Sequence, residues 1–265
     1  MDRATSWDIA SGLRKSRATP TQIMHRLSPI LRYVGLRHTA STVVLVTLFL
    51  ASARTVAQSD ADLQKVLGEM DSAAASFHTT QANFDWEQYW KVVNDRESQK
   101  GTVYYRRVGK EIQMMADITD PPKSVLFSDG KVQVYEPKLK RVTSYDAGKN
   151  KEAVESFLVL GFGGGGHDLL KSFDVKSLGS ETVEGVNAAK LELIPKSDRV
   201  RNIFAKIWLW IDPARGISVQ QQFFEPSGDY RLAKYSAIQL NQKISDSAFK
   251  LKTANGTQFV SGPKG

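Results

Sequence analysis

After residue 57 the chain holds two histidines, His78 and His167, and it has no cysteine anywhere. That limits the available chemistry. Thiol nucleophiles and disulfide staples are ruled out. A metal site would need clustered carboxylates, and none have ligand-like spacing. The nearest acidic pairs, such as Asp85 and Glu87, sit in an alternating strand pattern and read as a solvated strand face. His167 beside Asp168 could serve a Ser-His-Asp hydrolase, but no nucleophile-elbow motif accompanies them. Gly161-x-Gly163-x-x-Gly166 matches the dinucleotide pattern letter for letter. That motif works only between a parallel strand and a helix, where backbone amides meet a pyrophosphate. Here a helix-like segment precedes it and the neighbouring strands read as antiparallel. The glycines therefore read as a flexible joint between two short helices. The expectation is a protein without catalytic residues, metal or cofactor.

The elements around these residues are mostly strands. Leu63, Val66, Leu67, Met70, Ala74 and Phe77 recur at three- and four-residue steps, which predicts one amphipathic helix. From Thr79 the period changes to two. Strands are predicted from Thr79 through Lys91, then over Gly101–Arg107, Glu111–Ile118, the two arms Val125–Ser128 and Lys131–Pro137, and Arg141–Tyr145. After a helical segment over Lys151–Leu160 and a second over His167–Phe173, strands return at Asp174–Thr182, Asn187–Ile194, Ala205–Ile211, Ile217–Glu225 and Tyr230–Leu240. Asp120-Pro121-Pro122 stops the third strand, because proline cannot donate to a ladder. The Asp129-Gly130 turn is the sharpest local signal, since both residues tolerate positive φ and a two-residue turn fixes register. Ser128 should face Lys131, Phe127 face Val132 and Val125 face Val134, giving a ribbon with one strongly apolar side. Many short strands and few helices predict a mainly β (α+β) fold, one antiparallel sheet curled toward a barrel.

The first 57 residues read separately. Arg32, Arg37 and His38 precede an uncharged apolar run, Thr42–Ala53, which small residues follow. This is the pattern of a secretory signal peptide with cleavage after Ala53 or Ala57, and Met24 is an alternative start. The run is about half of the roughly 20 residues a membrane span needs. The whole chain carries +8, but the leader accounts for most of it, which leaves about +2 on the 208 residues 58–265. The high isoelectric point therefore gives little support to a nucleic-acid partner. Residues 58–265 read as a single domain, long enough for one ordinary core.

Large apolar side chains are abundant for a chain with so few helices to cover them. Phe84, Trp86, Trp90, Val103, Tyr105, Met114, Val125, Phe127, Trp208, Trp210 and Phe223 are the candidate lining of an apolar cavity, with Phe224 beside them. The strand Ala205–Ile211 is bulky on both faces, so its inward side stays open between Ile207/Leu209/Ile211 and Trp208/Trp210. A curled sheet with a roomy apolar lining suits a greasy ligand, since burying acyl chain yields about 0.8 kcal/mol per methylene.

From Ser76-Phe77-His78 onward the chain resembles the LolA family of periplasmic lipoprotein carriers. The likeness runs through Gly101-Thr102-Val103-Tyr104-Tyr105-Arg106-Arg107. It is most specific at Ser128-Asp129-Gly130-Lys131 with Val134-Tyr135-Glu136-Pro137, and continues at Leu191-Glu192-Leu193-Ile194-Pro195-Lys196. Phe157-Leu158-Val159-Leu160-Gly161-Phe162-Gly163 and Trp208-Leu209-Trp210-Ile211-Asp212 are similar to a bacterial LolA-like branch. The resemblance implies an incomplete antiparallel β-barrel around an apolar cavity, covered by a helical lid. Leu63, Leu67, Met70, Phe157, Leu158 and Phe162 would belong to that lid. It also implies a periplasmic monomer that takes acylated lipoproteins from an inner-membrane release complex to an outer-membrane receptor. The family's latch arginine falls at Arg107. The proline that usually follows is replaced here by Val108 and Gly109, so Arg106 remains an alternative. Two other readings stay open: a sensor or carrier for another lipid or a protein partner on the same fold, and a secreted hydrolase built on His167 and Asp168.

Overall fold

The computed structural model describes residues 60–109, 111–146, 148, 158 and 160–262. The leader lies outside them, as does the helix expected over 151–160 apart from Leu158 and Leu160. The amphipathic stripe after residue 60 does form a helix, α1, over residues 60–75. Val66, Leu67 and Met70 on that stripe are buried.

Alternation then takes over. The strands are β1 (Thr79–Trp90), β2 (Asp95–Val108), β3 (Glu111–Thr119), β4 (Pro122–Ser128), β5 (Lys131–Glu136), β6 (Arg141–Asp146), β7 (Phe173–Val183), β8 (Val186–Pro195), β9 (Lys206–Asp212), β10 (Ile217–Phe224), β11 (Tyr230–Leu240) and β12 (Gln258–Ser261). Among the described residues, the short helices α2 (Gly166–Ser172) and α3 (Asp198–Arg201) interrupt them. All strands join one sheet in the order β12-β6-β5-β4-β3-β2-β1-β11-β10-β9-β8-β7. β7 and β12 stand at its two edges and are not paired with each other, so the curled sheet is a barrel left incomplete.

The β4–β5 hairpin has the register its turn dictates: Ser128 opposite Lys131, Phe127 opposite Val132 and Val125 opposite Val134. Asp129 and Gly130 take φ of 53° and 71°, as a type I′ turn requires. Two strands differ from expectation. β2 begins six residues earlier than the sequence predicts, because Asp95–Lys100 is exposed and polar and shows no apolar alternation, yet pairs with β1 down to Trp90 opposite Asp95. β12 has no counterpart among the predicted strands; its four residues are all exposed, and it pairs with β6 in parallel, the one parallel pair among the described strands.

Strand alternation separates an inner face from an outer one. On the inner face, α1 packs onto β7, β8 and β9, where Leu67 and Met70 meet Leu191, Leu193, Ile207, Leu209 and Ile211, all with no exposed surface. A second inner cluster gathers Phe77, Val103, Tyr105, Met114, Phe127 and Phe162. The outer face is covered in two places. Trp210 packs with Val183, Ala188 and Val219. Met115 and Leu126 pack beneath Phe249 of the C-terminal segment.

Candidate functional site

Where α1 does not reach, the inner face bounds a cavity of about 380 Å³. β1 supplies Phe84 and Trp86, β2 Val103 and Tyr105, β3 Met114, Ala116 and Ile118, and β4 Val125. The other wall comes from Phe223 on β10 and Ala233 and Tyr235 on β11, with Leu158 and Phe204 from connecting segments. These side chains converge because β1 pairs on one side with β2 and on the other with β11, so that Phe84 lies between Gly101 and Tyr235. Gly101 has a steric reason. A Cβ there would collide with the carbonyl of Asp117 and press on the Phe84 ring.

The wall carries little charge. Burial pushes the phenols of Tyr105 and Tyr235 above the usual tyrosine range, so both stay neutral. Tyr235 donates to Gln221 Oε1 at 3.4 Å, and Gln221 donates to the Leu160 carbonyl. Arg231 stands at the rim, exposed and paired with Glu225 at 2.9 Å. Its Nε donates to Gln88 Oε1 at 3.0 Å.

Of the residues expected to line a cavity, Phe84, Trp86, Val103, Tyr105, Met114, Val125 and Phe223 stand around this one. Phe127 lies behind the wall, fully buried in the second inner cluster. Trp90 sits beyond the rim, in a neighbouring groove. Trp208 and Trp210 are a correction, because they occupy the outer face, away from the cavity. Lys190 and Glu192 of β8 stand opposite Trp210 and Trp208. The indoles donate to Glu181 Oε2 at 2.9 Å and Glu192 Oε2 at 3.0 Å, and Lys190 Nζ lies over both rings. Those indole bonds hold both carboxyls below their ordinary range. An indole whose N–H needs a partner finds one among charged side chains and would lose it in an apolar pocket. Lys206, in phase with Trp208 and Trp210, is the sequence signal for this orientation.

The residues expected in the lid separate into two groups. Leu67 and Met70 belong to the packed core over β7–β9, with Leu63 against its edge, so they do not border the cavity. Leu158 lines it. Phe162 is fully buried between its two tyrosines, stacked on Tyr105 at 5.4 Å and edge-on to Tyr235 at 4.8 Å. Phe157 lies outside the described residues.

The glycine run makes this division possible, and its role differs from the flexible joint expected. Gly161 and Gly163 both adopt φ of 82°. A Cβ on Gly161 would collide with Ser218, on Gly163 with the Phe77 ring, and on Gly166 with the backbone of Leu67. These are close-approach glycines that press the segment against α1 and β10. They send Leu160 into the α1 core and Phe162 into the tyrosine cluster two residues later.

Arg107 fastens the same segment. Its Nη1 donates to the Ala74 carbonyl in the last turn of α1 at 3.0 Å, and its Nη2 to the Gly163 carbonyl at 2.6 Å. A helix C-terminus leaves such carbonyls unpaired, and a cation there is favourable. Arg106 points to the other side, bonding Gln113 and Asp246 and lying over the Phe249 ring. Of the two arginines, Arg107 is the one that bonds both α1 and the glycine segment.

His167 holds the start of α2 to α1. Its ring contacts the Asp71 carboxylate through Nδ1 and Gln64 Oε1 through Nε2, and its backbone N–H donates to Asp71 Oδ1. Asp168 pairs with Lys171 instead. Both ring nitrogens are thus committed to joining two helices, and no acid–base pair with Asp168 is formed. Among the described residues no three His, Asp or Glu side chains gather closely enough to hold a metal ion, and no helix is long and apolar enough to cross a membrane.

Residues 75–252 match the family model described as outer membrane lipoprotein carrier protein LolA. Among solved structures, an uncharacterized conserved protein from Thermus thermophilus aligns at 12% identity with a TM-score of 0.49, over 75% of this chain and 98% of that one. A putative outer membrane lipoprotein-sorting protein domain from Vibrio parahaemolyticus aligns at 14% identity and 0.40, over 71% and 95%. MucB, solved with MucA from Pseudomonas aeruginosa, aligns at 14% identity and 0.44, over 72% of this chain and 61% of that one. No curated protein matches the chain.

Proposed function

We propose, from the premise that this chain belongs to the LolA family, that it is a periplasmic carrier that shields the acyl chains of lipoproteins between the inner and outer membranes. The observation that carries this reading is the cavity of about 380 Å³ walled by aromatic and aliphatic side chains; two of them, Tyr105 and Tyr235, pack on Phe162 of the segment that Arg107 fastens. Such a wall offers an acyl chain about 0.8 kcal/mol per methylene removed from water. Association and ordering costs offset part of that gain, which suits a carrier that must also release. The volume is near the lower end of the roughly 300–1,000 Å³ common for ligand pockets. More than one chain therefore needs the cover to move.

The movable part is the Leu160–Gly163 stretch rather than α1. Helix α1 runs over residues 60–75 with Leu67 and Met70 fully buried. The segment is shorter, and its anchors are buried Leu160 and Phe162 with the hydrogen bonds from Arg107, Gln221 and Ser218, which must release together. Arg107 is the latch: its two charge-assisted bonds close the segment onto α1, and their release opens the cavity. The protein acts by binding alone, since His167 serves helix docking. Its partners are an inner-membrane release complex and an outer-membrane receptor, and it works as a monomer after removal of a leader that ends near Ala53 or Ala57.

The test is to purify the exported protein from its native envelope and identify bound lipid by mass spectrometry. Co-purified triacylated peptide is expected. Free lipid without peptide would move the assignment to a carrier or sensor of another lipid. An empty protein that also fails to bind an acyl probe would overturn the carrier reading.

A further inference from the structure

The apolar cavity has an open end and a closed one. At the open end Trp86, Phe204 and Phe223 are half-buried and Arg231 is exposed; at the other end Val103, Tyr105 and Met114 are buried. Strand register gives the distance between them. Trp86 stands opposite Gln99, and Tyr105 follows six residues later on β2, about 20 Å of strand. A ligand with a polar head keeps that head in water at the open end and sends its chain toward Tyr105.

The closed end is not wholly apolar. The polar side-chain atoms of the wall belong to Tyr105, Gln221, Arg231 and Tyr235. Three of these residues are engaged: Arg231 with Glu225 and Gln88, Tyr235 with Gln221, and Gln221 with the Leu160 carbonyl. The Tyr105 hydroxyl has no hydrogen-bond partner among the described residues. Thr80 Oγ1, opposite it on β1, is sealed without a partner, whereas Tyr105 Oη keeps accessible surface. Tyr105 as a whole is only 7% exposed, so that surface opens on the cavity it lines. Stacking on Phe162 at 5.4 Å holds the ring in place.

The surroundings select what this hydroxyl can meet. Burial keeps the phenol neutral, so it offers a proton and no charge. Arg231 is the one charged side chain in the wall, and it is paired at the open end. Arg107, two residues beyond Tyr105, is turned to the Ala74 and Gly163 carbonyls. A carboxylate or ammonium at the closed end would therefore be buried without a counter-ion, which is costly. An uncharged oxygen would accept the Tyr105 proton, and a bare hydrocarbon would leave a buried donor unmet.

We infer that Tyr105 is a specificity residue, which selects a chain that carries an uncharged oxygen, as hydroxyl or carbonyl, near the end remote from its head. This deepens the carrier reading above and rests on it.

A set of fatty acids tests it: dodecanoic and hexadecanoic acid, their terminal hydroxy derivatives, and keto derivatives with the carbonyl one carbon in from the end. Each is titrated by calorimetry, below its micelle concentration, into the full mature protein and its Tyr105→Phe variant, which keeps the stacked ring. A hydroxyl buried without a partner would weaken binding about tenfold or more. In the wild-type protein at least one oxygenated chain should instead bind as tightly as the plain chain of its length. Tyr105→Phe should weaken that chain roughly five- to tenfold, the size of one buried hydrogen bond, and leave the plain chain within about twofold. Loss confined to the hydroxy acid identifies a hydroxylated chain, and loss confined to the keto acid identifies a carbonyl. Oxygenated chains that all bind the wild-type protein far more weakly than plain ones, or equal losses for both kinds in the variant, overturn the selection while the cavity stands. Failure of every fatty acid to bind the wild-type protein overturns both.

Discussion

The two halves of the inner face are built by the same strand alternation and end differently. Over β7–β9, Leu191, Leu193, Ile207, Leu209 and Ile211 are sealed beneath α1. Over β1–β4 and β10–β11, Phe84, Trp86 and Phe223 remain half-buried around a cavity of about 380 Å³. The strands are comparably apolar, so composition does not set the difference. The cover does. A full amphipathic helix buries its apolar stripe completely on one half. A short glycine-rich segment with one large ring, Phe162, lies on the other. A sealed core and an open cavity thus fall to different halves of one sheet.

Four changes would break or sharpen that contrast. The largest effect belongs to the sealed half. Met70→Ala, at a fully buried position, should cost about 2–5 kcal/mol in urea unfolding, while acyl-probe affinity per folded molecule holds; an equal loss of affinity would remove the division of labour. Arg107→Leu comes next. It removes two charge-assisted bonds at the seam between the halves, each worth about 1.5–3 kcal/mol. Stopped-flow release of a fluorescent fatty acid should accelerate in this variant, and unchanged release kinetics would count against the latch. Third is a pair across the sheet. Trp86→Ala should weaken acyl-probe binding by about 1–2 kcal/mol through lost apolar contact, whereas Trp208→Ala on the outer face should leave it within about twofold.

The smallest effect concerns acid. Burial alone would raise the Asp71 carboxyl, but the bonds from His167 outweigh that and hold it below its ordinary 3.8. A depressed carboxyl contributes stability that is fully present above the ordinary value and is lost as pH falls through the lowered one. The contribution of the Asp71 carboxylate to the α1–α2 tie should therefore be lost only in stronger acid, as pH falls below its ordinary value. Hydrogen exchange in α1, compared between wild type and Asp71→Asn, would show the difference at about pH 6 shrinking toward about pH 3.

Much of this plan is legible in the residues. Asp129-Gly130 specifies a hairpin register to the residue, and the period-two runs place most strands within a few positions. What fails does so for identifiable reasons. A strand that is bulky on both faces hides its orientation, so Trp208 and Trp210 read as inward until Glu181, Glu192 and Lys190 give their N–H groups and rings a reason to face outward. A helical stripe says that α1 is buried against something, not that the something is a core rather than a cavity. The roles of Gly161, Gly163 and Gly166 depend on contacts with Ser218, Phe77 and Leu67, all of them distant along the chain. β12 and the start of β2 are polar and exposed, and pairing alone defines them.

The central claim is that the half left uncovered by α1 holds an acyl chain, and filling that space tests it most directly. Ala116 borders the cavity between Val103 and Val125, so Ala116→Phe would occupy it from the β3 side. Titration of a dodecanoyl fluorescent probe into wild type and this variant should give saturable binding to the first and a loss of at least about tenfold in the second, with unfolding stability retained. Undiminished binding by a stably folded Ala116→Phe protein would contradict the account.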